Sequence, residues 1–254
     1  MTRIDEITDG IYRISASPKP DGAPITFNQF LIDDEAPVLV HTGNYEEYGG
    51  IHKAISEVLD PATLAYVVLL HFEGDECGGM DRFMAEAPRA QLVGSDMSAI
   101  LNLTQFGVDY VDRVKGVRDG DTIDLGDHTL SFIETPHVHH WDSMMVFEES
   151  TKSLFPSDLF IQPGDLPPVM NEDLTQEMLG FYREIGIFAH EEPVRTTIDR
   201  LVPRDPQWVH AMHGGTLTGE IFPRYVKALR EERFAFQGKS LGRPIAEPAE
   251  VPAA

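Results

Sequence analysis

Apolar positions recur at short intervals early in the chain: Ile4, Ile7, Ile11 and Ile14, then Thr26–Ile32, then Pro37–His41 closing at Thr42-Gly43. This spacing predicts strands. Across Glu46–Leu59 the period changes, and Ile51, Ala54, Ile55 and Val58 share one helical face. Leu64–Leu70 is continuously apolar from Val67 to Leu70, as a strand covered on both faces would be, and it runs directly into His71. A weaker alternation follows: a helix over Gly79–Ala85, a strand over Gln91–Gly94 and a helix over Met97–Leu103. Two hairpins are expected, Thr122–Leu125 with Thr129–Ile133, and Met144–Glu148 with Ser153–Pro156. Helices over Gln176–Ala189 and Glu192–Leu201, a strand over Trp208–Ala211 and a last helix over Gly219–Arg233 complete the pattern. A strand-rich half followed by helices, twice over, predicts an α/β fold of two face-to-face sheets with helices outside.

A chain of 254 residues with 42% hydrophobic content can bury one sizeable core, and nothing in its middle reads as a linker. One domain over residues 1–235 is expected, with 236–254 as a flexible tail, because Arg243–Ala254 is rich in Pro, Ala and Glu. The net charge of −22 argues against nucleic acid or an anionic membrane as partner. Met1–Asp9 is polar and acidic where a signal peptide would be basic and then apolar, and no apolar run approaches spanning length, so a cytoplasmic location is expected. The single Cys77 cannot form an internal disulfide and is expected as a buried small residue at a helix start.

The candidate chemistry sits where apolar strands end. His71-Phe72-Glu73-Gly74-Asp75-Glu76 follows the most apolar strand, and in an extended conformation residues 71, 73 and 75 leave one face. Three further clusters follow short apolar runs: Pro136 to Ser143, with histidines at 137, 139 and 140; Asp158 after Leu154-Phe155; and His213-Gly214-Gly215. Each alone is weak, since a histidine at a strand end is more often part of the structure; four together point to metal.

The order HxExD, a histidine far downstream, an Asp after Leu-Phe and a late His-Gly resembles the metallo-β-lactamase superfamily, and Val40-His41-Thr42-Gly43 resembles its early strand-end motif. Glu73 in place of the usual second histidine, and the Pro136–Ser143 stretch, resemble the flavodiiron and oxygen-binding diiron proteins. The resemblance implies an αββα sandwich, with His71, Glu73 and His139 on one metal, Asp75 and His213 on the other, and Asp158 bridging. His137 and His140 would lie just outside the ligands; Glu76, which replaces a histidine of the motif, is open as a ligand, a group just outside them or an exposed residue, and is expected outside. Met144, Met145, Phe147, Phe181 and Tyr182 are candidates for core or for an apolar pocket above the metals. A carboxylate in place of an imidazole hardens the site and favours iron, with zinc and manganese as alternatives. The function implied is binding or reduction of O2 or NO, with electrons or signals passing through a separate protein and a homodimer as the assembly. The alternative is a dinuclear hydrolase of an ester, thioester, lactam or phosphodiester.

Overall fold

The structure is a computed structural model, and it describes residues 2–17, 24–106 and 109–244. Two seven-stranded sheets pack face to face. The first is built from β1 (Thr2–Thr8), β2 (Ile11–Ala16), β3 (Phe27–Ile32), β4 (Val38–Val40), β5 (Tyr66–Val68), β6 (Gln91–Ser95) and β7 (Val114–Val117), in that spatial order. Its early strands pair antiparallel and β4 to β7 pair parallel. Parallel pairing requires crossovers, which carry α1 (Tyr48–Ile55), α2 (Gly74–Cys77), α3 (Met80–Glu86) and the broken helix α4 (Asp96–Ser98) to α5 (Thr104–Phe106).

The second sheet has β8 (Thr122–Asp124), β9 (Thr129–Glu134), β10 (Met144–Glu148) and β11 (Ser153–Phe155) as antiparallel neighbours. It continues through β13 (Trp208–Val209) and β14 (Thr216–Thr218) to β12 (Val169–Met170). Helices α6 (Thr175–Ile185), α7 (Glu191–Leu201) and α8 (Phe222–Glu231) follow, with a small hairpin of β15 (Lys239–Ser240) and β16 (Arg243–Pro244). Gly242 N donates to the Glu184 carbonyl, so the described chain is still packed on α6 beyond residue 235, while 245–254 lie outside the described residues.

Strand alternation divides the apolar residues among three layers. Phe30, Ile32, Val40 and Val68 face Phe132, Val146 and Phe155 between the sheets. Their neighbours Leu31, Leu39 and Val67 point outward beneath Ile51, Ile55 and Phe83 of α1 and α3. On the other side Met145, Phe147 and Val209 lie beneath Tyr182, Ile198 and Leu229 of α6 to α8. The fold is therefore an αββα sandwich, as the resemblance implied.

Some elements depart from the expected bounds for local reasons. Helix α6 ends at Ile185 because Gly186 turns left-handed (φ +71°), which stops a helix that was expected to run to Ala189. The expected helix over Met97–Leu103 is two short α-turns around a π-turn at Ala99–Leu103. The two-to-four-residue strands β7, β12 and β14 have too few residues for a period and were not expected.

Candidate metal centre

All the clustered histidines and acids lie just past strand C-termini: His71 to Glu76 after β5, His139 after β9, Asp158 after β11 and His213 after β13. Strand β11 is parallel to β13, and β9, two antiparallel steps away, runs the same way. Their ends therefore share one edge of the sandwich, where they meet the end of β5.

The chain does not stay extended through the first cluster. It turns helical at Gly74, so Asp75 and Glu76 lie on the four-residue α2. Glu73 holds the N-cap position with extended φ and ψ, yet its carboxylate makes no cap bond and turns instead to two imidazoles. Its Oε2 lies 3.3 Å from His71 Nε2 and 3.3 Å from His139 Nε2. Asp158 Oδ2 lies 2.9 Å from His139 Nε2 and 3.6 Å from His71 Nε2, while its Oδ1 lies 3.3 Å from His213 Nε2. Asp75 Oδ2 is 3.7 Å from His213 Nε2. Two donor groups result, His71 with Glu73, His139 and Asp158, and Asp75 with Glu76 and His213, each with ligand atoms within 4.8 Å of one another. Asp158 reaches both.

So does Glu76, which the sequence placed outside the ligand set. It is fully buried, with Oε2 3.5 Å from His71 Nε2 and Oε1 4.0 Å from His213 Nε2. The helical turn at Gly74 swings it inward, and Thr42 holds it there: Thr42 N and Oγ1 donate to the Glu76 carbonyl at 2.6 and 2.8 Å. The motif Val40-His41-Thr42-Gly43 thus anchors the helix that carries two of the acids. Gly43 is required in it, since φ is +72° and a Cβ would stand 2.3 Å from Ile51 Cδ1.

Neither carboxylate oxygen of Glu76 has a hydrogen-bond partner among the described residues. A buried carboxylate without a partner is costly, and a cation between the two donor groups supplies what is missing. The residues present therefore fit a pair of metal ions. The electrostatics agree with this fit. Burial, with Asp158, Asp75 and Glu73 nearby, pushes Glu76 well above the ordinary carboxylate range. Asp158 is held well below that range: burial opposes this, but His71, His139 and His213 outweigh it. Burial lowers His139 and His213, yet their carboxylate partners win and raise both to about 9. Protons thus sit where cations would, and metal uptake would release them.

The imidazoles are oriented from behind. His71 Nδ1 lies 2.6 Å from Ser157 Oγ, and His213 Nδ1 donates to the Thr26 carbonyl at 2.8 Å, which leaves both Nε2 atoms facing the acids. Gly214 follows with φ +105°, packed so closely on Gln162 that a Cβ would come within 2.8 Å of its Cβ. Its carbonyl accepts from buried Arg13 Nη2 at 2.7 Å and Asn28 Nδ2 at 2.8 Å. Burial lowers the Arg13 guanidinium to about 10.

Of the other histidines, His140 stands at the rim, 3.7 Å from Glu73 and 3.6 Å from Asp142, while His137 is exposed on the surface side of its loop. Sequence reasoning did not single out Ser157, Thr26 or Arg13, whose roles depend on contacts far along the chain. Cys77 ends helix α2 and is half-buried, where it was expected buried at a helix start; burial and Asp75 push its thiol up to about 12. Met144, Met145, Phe147 and Tyr182 are core residues. Only Phe181 of that set lines the cavity above the donors, with Ile25, Ile161, Ile185 and Ile187.

A family model described as ODP family beta lactamase matches residues 25–214, well over half of the chain. The chain belongs to the ODP family. Membership places it within the metallo-β-lactamase superfamily. Among the chain's relatives, the flavo-diiron protein FprA2 of Clostridium acetobutylicum is 28% identical over 202 residues, covering 77% of this chain and 50% of that protein. The putative diflavin flavoprotein A 1 of Thermosynechococcus vestitus is 30% identical over 199 residues, covering 76% of this chain and 34% of that protein. The chain thus spans half or less of these curated relatives. In fold it superposes on the rubredoxin oxygen:oxidoreductase of Desulfovibrio gigas with a TM-score of 0.79 at 23% identity, over 90% of this chain and 61% of that one. A structure described as a peroxy diiron species of the chemotaxis sensor ODP matches with a TM-score of 0.74 at 15% identity, over 92% and 96% of the two chains.

Proposed function

We propose that this chain holds two iron ions between its donor groups and binds O2 or NO there, as a sensor or, with a redox partner, as a reductase. His71, Glu73 and His139 would hold one ion, Asp75 and His213 the other, with Asp158 shared and Glu76 added to the set. The observation that carries the reading is the donor chemistry: four carboxylates accompany three imidazoles in the two groups. Hard anionic oxygen donors favour the higher oxidation state of iron and weaken the Lewis acidity that a hydrolytic water needs. Relatives named for a flavo-diiron centre and for oxygen or nitric oxide reduction support it. A bound iron pair supplies the electrons and open coordination positions that a diatomic ligand requires.

The protein's own residues position and exclude. Ser157 and the Thr26 carbonyl fix the imidazoles, and Tyr182 Oη accepts from Ile161 N at 3.1 Å, steadying the chain just past Asp158. The isoleucines and Phe181 give the cleft above the donors an apolar wall. We also assign one domain to residues 1–235, against which the β15–β16 hairpin packs. No helix among the described residues is long and apolar enough to cross a membrane.

The test is anaerobic loading with ferrous iron followed by O2. Metal analysis should find two irons per chain, and the visible spectrum should change on exposure, because oxidised iron has ligand-to-metal charge transfer that ferrous iron and zinc lack. A zinc-loaded protein that hydrolyses a lactam, thioester or phosphodiester at about 1–1000 per second, while the iron form ignores O2, would overturn the proposal.

A further inference from the structure

The cavity over the donors has a volume of about 360 Å³. A diatomic ligand needs about one or two water volumes, ~30 Å³ each, so most of this space is not explained by O2 or NO. Its walls are as informative as its size. Ile25 and Ile161 are buried, and Phe181, Ile185 and Ile187 are half-buried. Phe181 and Ile185 stand one helical turn apart on α6, beside the face whose Met178, Leu179 and Tyr182 enter the core. Gly186 ends that helix left-handed, and the chain places Ile187 on the same cavity. An aliphatic wall therefore faces a floor of metal donors.

Charge selects the kind of head group that could lie on that floor. The four carboxylates of the two groups neutralise a ferrous pair in full and leave a ferric pair with surplus positive charge. From this juxtaposition we propose that the cavity binds a short aliphatic carboxylate, its anionic head towards the oxidised metals and its alkyl chain against Ile25, Ile161, Phe181, Ile185 and Ile187. The inference rests on the dinuclear-iron reading and adds a ligand to it. Because the head favours the oxidised pair, the ligand also stabilises that state, lowering the midpoint potential and opposing the ferrous form that takes up O2.

The experiment uses the full chain, iron-loaded and oxidised, titrated with formate, butyrate and hexanoate. The charge-transfer band and the midpoint potential are followed, and calorimetry gives hexanoate binding by the iron-loaded and metal-free protein alike. Each added methylene should tighten binding about fourfold, the equivalent of ~0.8 kcal/mol per buried CH2, until the wall is covered, and hexanoate should lower the potential more than formate at equal concentration. Ile185→Ser should flatten the chain-length dependence while leaving formate affinity unchanged. Equal affinity for formate and hexanoate, no response to any of them, or equal hexanoate binding by metal-free protein would each overturn the inference. The first two results come from protein that holds iron and shows its band, and the third is measured beside that protein, so all three leave the dinuclear reading standing. Protein that takes up no iron removes that reading and this inference together.

Discussion

Replacing Glu76 by Gln keeps the side chain's size and removes its charge, so it isolates what the buried carboxylate does. A group that merely orients a metal ligand changes metal affinity about 10–100-fold. Glu76 lies within 3.5 Å of His71 Nε2 and 4.0 Å of His213 Nε2, among the donors themselves. The expected loss of affinity is therefore at least about 100-fold. By mass action that removes about 2.7 kcal/mol of the stabilisation that saturating metal confers, or roughly 5–10 °C in Tm for a domain of this size. The metal-free protein should move the other way. Its Glu76 carboxylate is buried without a hydrogen-bond partner and is pushed towards the neutral acid by burial and by Asp158, Asp75 and Glu73. An amide avoids that conflict, so metal-free Glu76→Gln should melt higher than the parent. The assay is thermal unfolding with and without ferrous iron under argon, alongside metal content. A variant that retains two irons and the parent's full metal-induced rise in Tm would refute the reasoning and return Glu76 to a place outside the ligands.

Three further outcomes are expected. Asp158→Ala should leave less than one metal per chain, because Asp158 belongs to the group of His71 and His139 and its other oxygen lies 3.3 Å from His213 in the second group; retention of a single tightly held ion would show that Asp158 serves one group only. His139→Ala should strip metal from the group it shares with His71, whereas His140→Ala should keep the parent stoichiometry, since His140 lies at the rim; the reverse result would exchange their roles. His128→Gln tests a buried pair away from the metals, where His128 Nδ1 meets Asp34 Oδ2 at 2.8 Å and Nε2 meets the Asp9 carbonyl at 3.0 Å. Burial lowers His128, but those partners outweigh it and leave it above its ordinary value. A raised folded-state value means that the stabilisation is complete below the unfolded value of about 6.5 and fades as pH rises through the folded one. The cost of His128→Gln in urea unfolding should therefore be larger at pH 6 than at pH 9, and a cost independent of pH would contradict the pairing.

The legibility of this protein follows the range of its interactions. His71, Glu73 and Asp75 could be read because they follow an unbroken apolar run, and a strand that enters a core must leave it at an edge. The αββα layering was legible for the same reason, through the alternation of helical and strand-like periods. Glu76 was not, because its burial depends on the helical turn at Gly74 and on Thr42, which lies 34 positions earlier in sequence. The end of α6 was misjudged because the apolar residues Ile187 and Phe188 continue a plausible helical face past Gly186, and only the left-handed turn there breaks it. Apolar character alone could not tell Phe181, which faces the cavity, from Tyr182, which faces the core, although they are adjacent on one helix.

The donors come from both sides of the sandwich. The first sheet delivers His71, Glu73, Asp75 and Glu76, and the second delivers His139, Asp158 and His213. Neither half alone possesses a complete set for either ion, so bound metal acts as a rivet through the seam between them. Cutting the chain in the short connection between β7 and β8 would give two pieces, each with one whole seven-stranded sheet and half of the rivet hole. Recombination of those pieces would then be governed by metal supply as well as by the apolar surface they share. Reassembly itself would become a gauge of iron.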